Sequence, residues 1–411
     1  MSLTPSYPVG AVVVKRPIRK TRPTFHFFQT DREPPSRQNF ARMDTYTRNY
    51  FPHFTMRFPL SLTMHMATYI FRKKLGGTPK FPLVLMLEPL HACNLKCSGC
   101  GRIREYADSL GQRLSVDECL HAVNESDAPI VSICGGEPLL YADIVELSDR
   151  ILQLGKHIYL CTNGILLEEK LDDFVQLAKW NRRTKSRLYW NVHLDGTAAV
   201  HDAIVEKKGT FERAYRGIFA AKRAGFYVYT NTTLYKTASV DDLVSLAEML
   251  PVNYSTFAKL PAYKIDGMMI APGYGYDAVE QRESFFLRRS EIHELFREVR
   301  QRMKKYRITA TPIYLDFLCG KRELPCAAWA NPTRNVKGWR SPCYLIADTH
   351  YETYQELIEQ TDWSTIGPGN DPRCQDCMMH CGFEPAAILF GNRVRDLVRL
   401  ALWQLGLRDN G

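Results

Sequence analysis

Between residues 81 and 276, short apolar runs alternate with stretches of helical period, and that alternation leaves few architectures open. "FPLVLMLEPL" (81–90), "APIVSICGGEPLL" (128–140), "KHIYLCTNG" (156–164), "RLYWNVHLDG" (187–196), "FYVYTNTTLY" (226–235) and "IDGMMIAPGYGY" (265–276) each read as a buried strand. Helices are expected over 116–126, 142–155, 166–181 and 211–224, the last stopping at Gly225. Strands separated by helices of this length make βα units and a parallel α/β sheet. Right-handed crossovers curl six such units into a partial barrel or leave an open, doubly wound sheet. GGEP, CTNG, HLDG, NTT and APGYGY all fall where a strand ends, the side of a parallel sheet that binds ligands.

Cysteines mark the end of the first strand. Cys93, Cys97 and Cys100 lie within eight residues, in a chain with 12 cysteines among 411 residues. A structural zinc site closes with four ligands, and no fourth Cys or His stands at hook spacing; His91 is too near Cys93. Three thiolates on a four-iron, four-sulfur cluster leave one iron free to chelate something else. Six cysteines follow residue 310: Cys319, Cys326, Cys343, Cys374, Cys377 and Cys381. Prolines, glycines and aromatics are scattered among them, so this region reads as a loop-rich module held by something other than a core.

C-x3-C-x2-C after a first strand, followed by Gly-Gly-Glu-Pro after the second, resembles the radical S-adenosylmethionine (SAM) superfamily. The resemblance implies a partial (β/α)6 barrel with a cysteine-rich C-terminal module. It also implies that Cys93, Cys97 and Cys100 hold the cluster and that Gly135, Gly136, Glu137 and Pro138 contact the methionine amine. Glycine allows close approach to a ligand, and the carboxylate can pair with an ammonium. Asp195 and Asn231 stand at strand ends where ribose and adenine contacts are expected; both residue types also serve as plain turn formers.

Further stretches narrow the likeness: "GGEPLL", "YLCTN", "VHLDG", "NPTR", "PCYL", "TDW" and "CMMHCGFE" resemble the adenosylhopene transferases of hopanoid biosynthesis, over residues 59 to 385. That subgroup adds a 5′-deoxyadenosyl radical to the alkene of diploptene, a hydrophobic polycyclic lipid. Residues 1–57 and "GRIREYADSLGQRL" depart from the pattern, and Met56 is an alternative start. Such an addition leaves a carbon radical that needs a hydrogen donor, and a thiol has the weakest such bond. Cys161, at the end of the third strand, is the expected donor. Cys119 falls in a helix, Cys134 precedes GGEP, and Tyr274 and Tyr276 are weaker candidates. A buried structural cysteine is the alternative for Cys161.

Cys326, Cys343, Cys374, Cys377 and Cys381 resemble the auxiliary-cluster modules of some radical enzymes. A second iron–sulfur cluster, a zinc site and free thiols remain open for them. His380 lies inside the Cys377–Cys381 hook, where it is a further candidate ligand or simply an exposed side chain.

The expected organisation is a basic leader over 1–57, an amphipathic helix over 58–80, the barrel over 81–310, the module over 311–385 and an amphipathic helix over 386–411. The formal net charge is +10. Apolar stretches edged by Lys and Arg near both ends suggest helices lying on a membrane surface, or ordinary packing on the domain. No secretory h-region or spanning stretch is evident, so the expected place is the cytoplasm, on the inner face of the membrane. A reductant such as flavodoxin or ferredoxin is implied. Nucleic acid is not, since the basic residues gather in the end segments. The competing functions are hydrogen abstraction from another lipid or a peptide, and, more remotely, an iron–sulfur electron carrier without radical chemistry.

Overall fold

In a computed structural model of the chain, residues 56–250, 264–279, 282–391 and 394–407 are described, so the expected leader lies almost wholly outside them. All six expected strands form: β1 (Val84–Leu87), β2 (Ile130–Ile133), β3 (His157–Thr162), β4 (Leu188–His193), β5 (Tyr227–Leu234) and β6 (Gly267–Pro272). They pair in chain order and all in parallel. The helices between them run Val116–Ser126, Ile144–Gln153, Leu167–Trp180 and Thr210–Arg223, within two residues of expectation. Ser115 and Glu118 form a capping box that fixes the start of the first. The result is the curled parallel sheet of a partial barrel.

Side chains alternate across these strands. Leu85, Leu87, Val131, Ile133, Ile158, Leu160, Trp190 and Val192 join the large core shared with the helices. The other set faces inward and is graded along the strands. Near their starts, Ile130, Tyr189 and Tyr229 pack with Val84, Tyr159 and Tyr227. Nearer their ends stand Ser132, Cys134, Cys161 and Asn191, with Cys161 directly across from Asn191. The lumen therefore changes from aromatic to polar and thiol-bearing toward the mouth.

The helix Leu60–Leu75 covers the floor of the barrel, pressing Phe58, Leu62 and Met66 onto the lower tyrosines. The leader does not extend to residue 57 as expected. Arg57 is buried and donates to the carbonyls of Trp403 (2.9 Å) and Ile308 (2.8 Å).

Beyond residue 310 the expectation needs a larger correction. β7 (Thr333–Asn335) pairs in parallel with β1, and β8 (Gly338–Pro342) and β9 (Ala347–Tyr351) add antiparallel strands, giving the order β6-β5-β4-β3-β2-β1-β7-β8-β9. The module thus continues the barrel sheet. It also shares the main core through Ile313, Phe317, Trp339 and Phe383, so packing holds it as well. The expected terminal helix is two helices, His380–Leu389 and Val394–Gln404. Between them, a Cβ on Gly391 would stand 2.7 Å from the Ala387 carbonyl, a close approach that only glycine tolerates.

Candidate active site

Three strand-end loops meet at the mouth, and hydrogen bonds lock them together. The GGEP loop lies against the backbone leading into the cysteines: Gly136 N donates to Leu90 O and Glu137 N to Ala92 O. A Cβ on Gly136 would come within 2.0 Å of Ala92 O, and one on Gly135 (φ +105°) within 2.5 Å of Leu90 O. The glycines are thus required by chain-to-chain approach, before any ligand is considered. Glu137 is buried and accepts from Leu139 N (3.0 Å), Thr162 Oγ1 (2.7 Å) and Asn163 N (2.8 Å). The carboxylate expected to face an ammonium is committed to tying the second strand end to the third. Burial pushes its pKa up even so. Asn163 completes the joint, donating to Asn94 Oδ1 inside the cysteine loop (2.7 Å).

Cys93, Cys97 and Cys100 are half-buried within that frame. Burial pushes Cys93 up to about 11 and Cys97 higher still, and the neighbouring Cys100 thiol adds to both shifts. Three desolvated sulfurs without a cation form a donor set suited to a metal cluster. Arg104 Nη1 holds the loop by donating to the carbonyls of Cys97 (3.1 Å) and Cys100 (2.5 Å). Tyr235 packs where a Cβ on Gly99 would lie, and Tyr276 where one on Gly101 would lie. His91 is no ligand. It is buried, faces Ser109 Oγ (3.1 Å) and stacks on Tyr106 at 4.0 Å.

Asp195 is buried beside the loop, close enough to push Cys97 up further after burial and the other two thiols have acted. Its Oδ1 accepts from His193 Nε2 (2.7 Å) and Thr233 N (2.8 Å). Among the described residues its buried Oδ2 has no hydrogen-bond partner, and such an acceptor fits a ligand hydroxyl. Burial lowers the His193 pKa, but Asp195 outweighs it and the net shift is upward. The half-buried Asn231 side chain makes no hydrogen bond among the described residues.

Cys161 faces the lumen below this rim, with Ser132 Oγ at 3.3 Å and Asn191 Nδ2 at 3.6 Å. Burial pushes its pKa up and keeps the S–H bond intact. Cys134 stands one strand away, buried and also pushed up. Cys119 is fully buried in the helical layer.

The second cysteine set also converges. Cys326, Cys343, Cys374, Cys377 and Cys381 line one tight cavity of about 20 Å³, with Tyr274, Ile346 and Phe383. Burial pushes Cys326 up to about 12 and Cys374 to about 11. The amides of Leu345 and Ile346 both donate to Cys343 Sγ at 3.3 Å. Cys319 stays apart, buried and bonded to Phe296 O. His380 is not exposed as expected; it is half-buried, its Nδ1 is enclosed without a partner, and burial lowers it to about 4.

Sequence reasoning missed the groups joining the two sets. Arg102 pairs with buried Glu88 (2.8 Å) and donates to Tyr344 O (2.9 Å). Arg340 pairs with Glu105 (3.2 Å) and donates to Cys343 O (3.1 Å). Tyr276, over the first loop, meets Tyr274, on the cavity wall, edge-to-face at 5.1 Å. Only the nearness of Arg102 to Cys100, and of Arg340 to Cys343, hinted at this in the sequence.

Residues 87–250 match the family described as the radical SAM superfamily, and residues 268–398 match a domain of unknown function, DUF3463. An AdoMet-dependent heme synthase of Methanosarcina barkeri is 28% identical over 239 residues, covering 54% of this chain and 66% of that protein. A pre-heme d1 synthase of Dinoroseobacter shibae is 30% identical over 161 residues, covering 38% of this chain and 37% of that one. The chain thus spans less than two thirds of either relative. Streptococcus suis SuiB has the same fold, at 14% identity and a TM-score of 0.53, covering 84% of this chain and 80% of that structure. The match of residues 87–250, over a parallel barrel whose strand ends gather the three cysteines and GGEP, makes that part of the chain a radical SAM domain, with SAM and a four-iron, four-sulfur cluster as the cofactors of such a domain.

Proposed function

We propose that this enzyme attaches 5′-deoxyadenosine to the alkene of a hydrophobic polycyclic lipid, of which diploptene is the type, forming a carbon–carbon bond. The observation that carries this reading is the Cys161 thiol, protonated and facing the lumen below the cysteine loop. Cys93, Cys97 and Cys100 would hold the cluster, which together with SAM would supply a 5′-deoxyadenosyl radical. Asp195 Oδ2 offers an acceptor to a ribose hydroxyl, Asn231 is free to meet the adenine, and the Gly135–Pro138 loop flanks the methionine. As the new bond forms, the alkene π bond breaks and the unpaired electron moves to the adjacent carbon. Cys161 S–H gives that carbon a hydrogen atom, and one electron from a flavodoxin- or ferredoxin-class reductant with one proton from solvent restores the thiol.

The reading includes a second iron–sulfur cluster in the five-cysteine cavity. Among the described residues, no three His, Cys, Asp or Glu are grouped closely enough for a single ion, which favours a cluster over zinc. It also includes peripheral contact with a membrane. Among the described residues, no helix is long and apolar enough to cross one.

The names of the relatives favour a second reading, radical chemistry on a tetrapyrrole. One anaerobic experiment separates the two: reconstituted protein with SAM, reductant and diploptene, read by mass spectrometry. A deoxyadenosyl adduct supports the first reading. Free 5′-deoxyadenosine without an adduct removes it and leaves a hydrogen-abstracting enzyme, to be tried next on tetrapyrroles.

A further inference from the structure

The helix Leu60–Leu75 turns Leu60, Met64, Ala67, Phe71 and Leu75 to solvent, spaced so that all five share one stripe. Phe71 is 66% exposed and Leu75 is 76% exposed. The helix Val394–Gln404 goes further and inverts its polarity. Two of its three charges point into the protein, Asp396 to Arg322 and Arg399 to Asp316, each at 2.6 Å. Val394, Leu397, Val398 and Ala401 are exposed instead. Hydrogen bonds tie the two helices to each other near their ends. Gln404 donates to Phe58 O (2.9 Å) and Thr63 Oγ1 (2.7 Å) at one end, and Lys74 donates to Leu389 O (3.1 Å) at the other.

A helix that faces water has no reason to bury an ion pair and expose valine and leucine. Such a pair of stripes meets an apolar phase. The charge at their edges says which one. The helix Leu60–Leu75 has no acidic residue, and Asp396 of the other helix is buried. Arg72, Lys74 and Arg395 are exposed. A second copy docked here would bring like charges together, whereas an anionic lipid surface complements them.

We propose that these two helices seat the protein on an anionic bilayer, with the aliphatic stripes at the acyl boundary and Arg72, Lys74 and Arg395 at the phosphates. The inference stands apart from the substrate assignment. This face lies at the barrel floor and the cysteine loop at the opposite end, so docking leaves the mouth turned away from the membrane. An apolar substrate then has to leave the lipid phase to reach it.

The test is flotation of the full chain with vesicles of phosphatidylcholine, alone or with about one third phosphatidylglycerol. Binding to the anionic vesicles should be roughly tenfold tighter and should weaken as salt rises. Phe71→Ser/Leu75→Ser/Leu397→Ser/Val398→Ser should lose roughly tenfold or more, with circular dichroism and iron content unchanged. Arg72→Glu/Arg395→Glu should abolish the preference for anionic lipid and guards against misfolding of the first variant. The proposal fails if the wild type does not float, or if both variants float as well as it does. A dimer in light scattering that the serine variant dissolves would assign the face to a second copy and overturn it.

Discussion

Cys93, Cys97 and Cys100 share one loop at an open mouth, whereas Cys326, Cys343, Cys374, Cys377 and Cys381 come from separate segments and meet around a shared cavity. The first set is shaped locally: a Cβ at Gly136 would strike Ala92 O, and Glu137 pins the neighbouring strand end. The second exists only once the hairpin β7–β8 has joined β1 and the helix His380–Leu389 has packed onto the core. Three thiols beside the orphaned Asp195 Oδ2 leave room for a substrate. Five thiols walled by Tyr274, Ile346 and Phe383 do not, and suit electron relay or stapling. Arg102, Arg340 and the Tyr274–Tyr276 contact make the two sites neighbours in one structure.

The largest difference should come from removing one sulfur of each set. Cys97→Ala should abolish SAM cleavage, a loss of roughly 10³-fold or more in 5′-deoxyadenosine by chromatography, because a cluster held by two thiolates is not retained. If Cys374→Ser does the same, the distinction between a reacting site and a supporting one collapses. Next in size is Cys161→Ala, which should lower adduct formation roughly tenfold to a hundredfold and leave SAM cleavage within a few-fold. Equal loss of both would make Cys161 a packing residue of the lumen.

The sequence made the first region legible and the second only in part, and the reason is contact range. Six apolar runs with turn residues at their ends predict β1 to β6, and a three-cysteine loop at hook spacing is visible within eight residues. The structural purpose of the glycines is not legible, since nothing local says that residues 90–92 run beneath them. The same holds for Glu137, whose partners Thr162 and Asn163 lie 25 and 26 residues away. In the module, β7 is three residues long and pairs with a strand some 250 residues earlier, which no periodicity reveals. Periodicity did mark the apolar face within 388–408. It could not say that the charged face turned inward, because Arg322 and Asp316 lie far off in sequence.

Cys374→Ser/Cys377→Ser sharpens the comparison at intermediate size. With a cluster in the cavity, the variant should lose about half its iron, run roughly tenfold slower and melt several degrees lower, read by metal analysis and calorimetry. Unchanged iron and melting temperature would mean that five thiols merely fill the space, and that the shared core of Ile313, Phe317 and Trp339 carries the module unaided.

The smallest expected effect isolates that packing contribution. Glu384 accepts from Thr311 N (2.9 Å) and Thr311 Oγ1 (2.8 Å), joining the helix that bears Cys381 to the start of Pro312–Leu318. Burial raises its pKa from the ordinary 4.5 to about 7, against the pull of those two bonds. The native state therefore holds the proton more tightly than the unfolded chain, so the contribution to stability is whole below pH 4.5 and is lost as pH rises through about 7. Glu384→Gln mimics the protonated side chain. It should match the wild type near pH 5 and exceed it near pH 8.5 by a few degrees, on the order of 1–2 kcal/mol. Parallel melting curves across that range would remove Glu384 from the joint. The same slope surviving in Cys374→Ser/Cys377→Ser would show that packing and thiols hold the module independently.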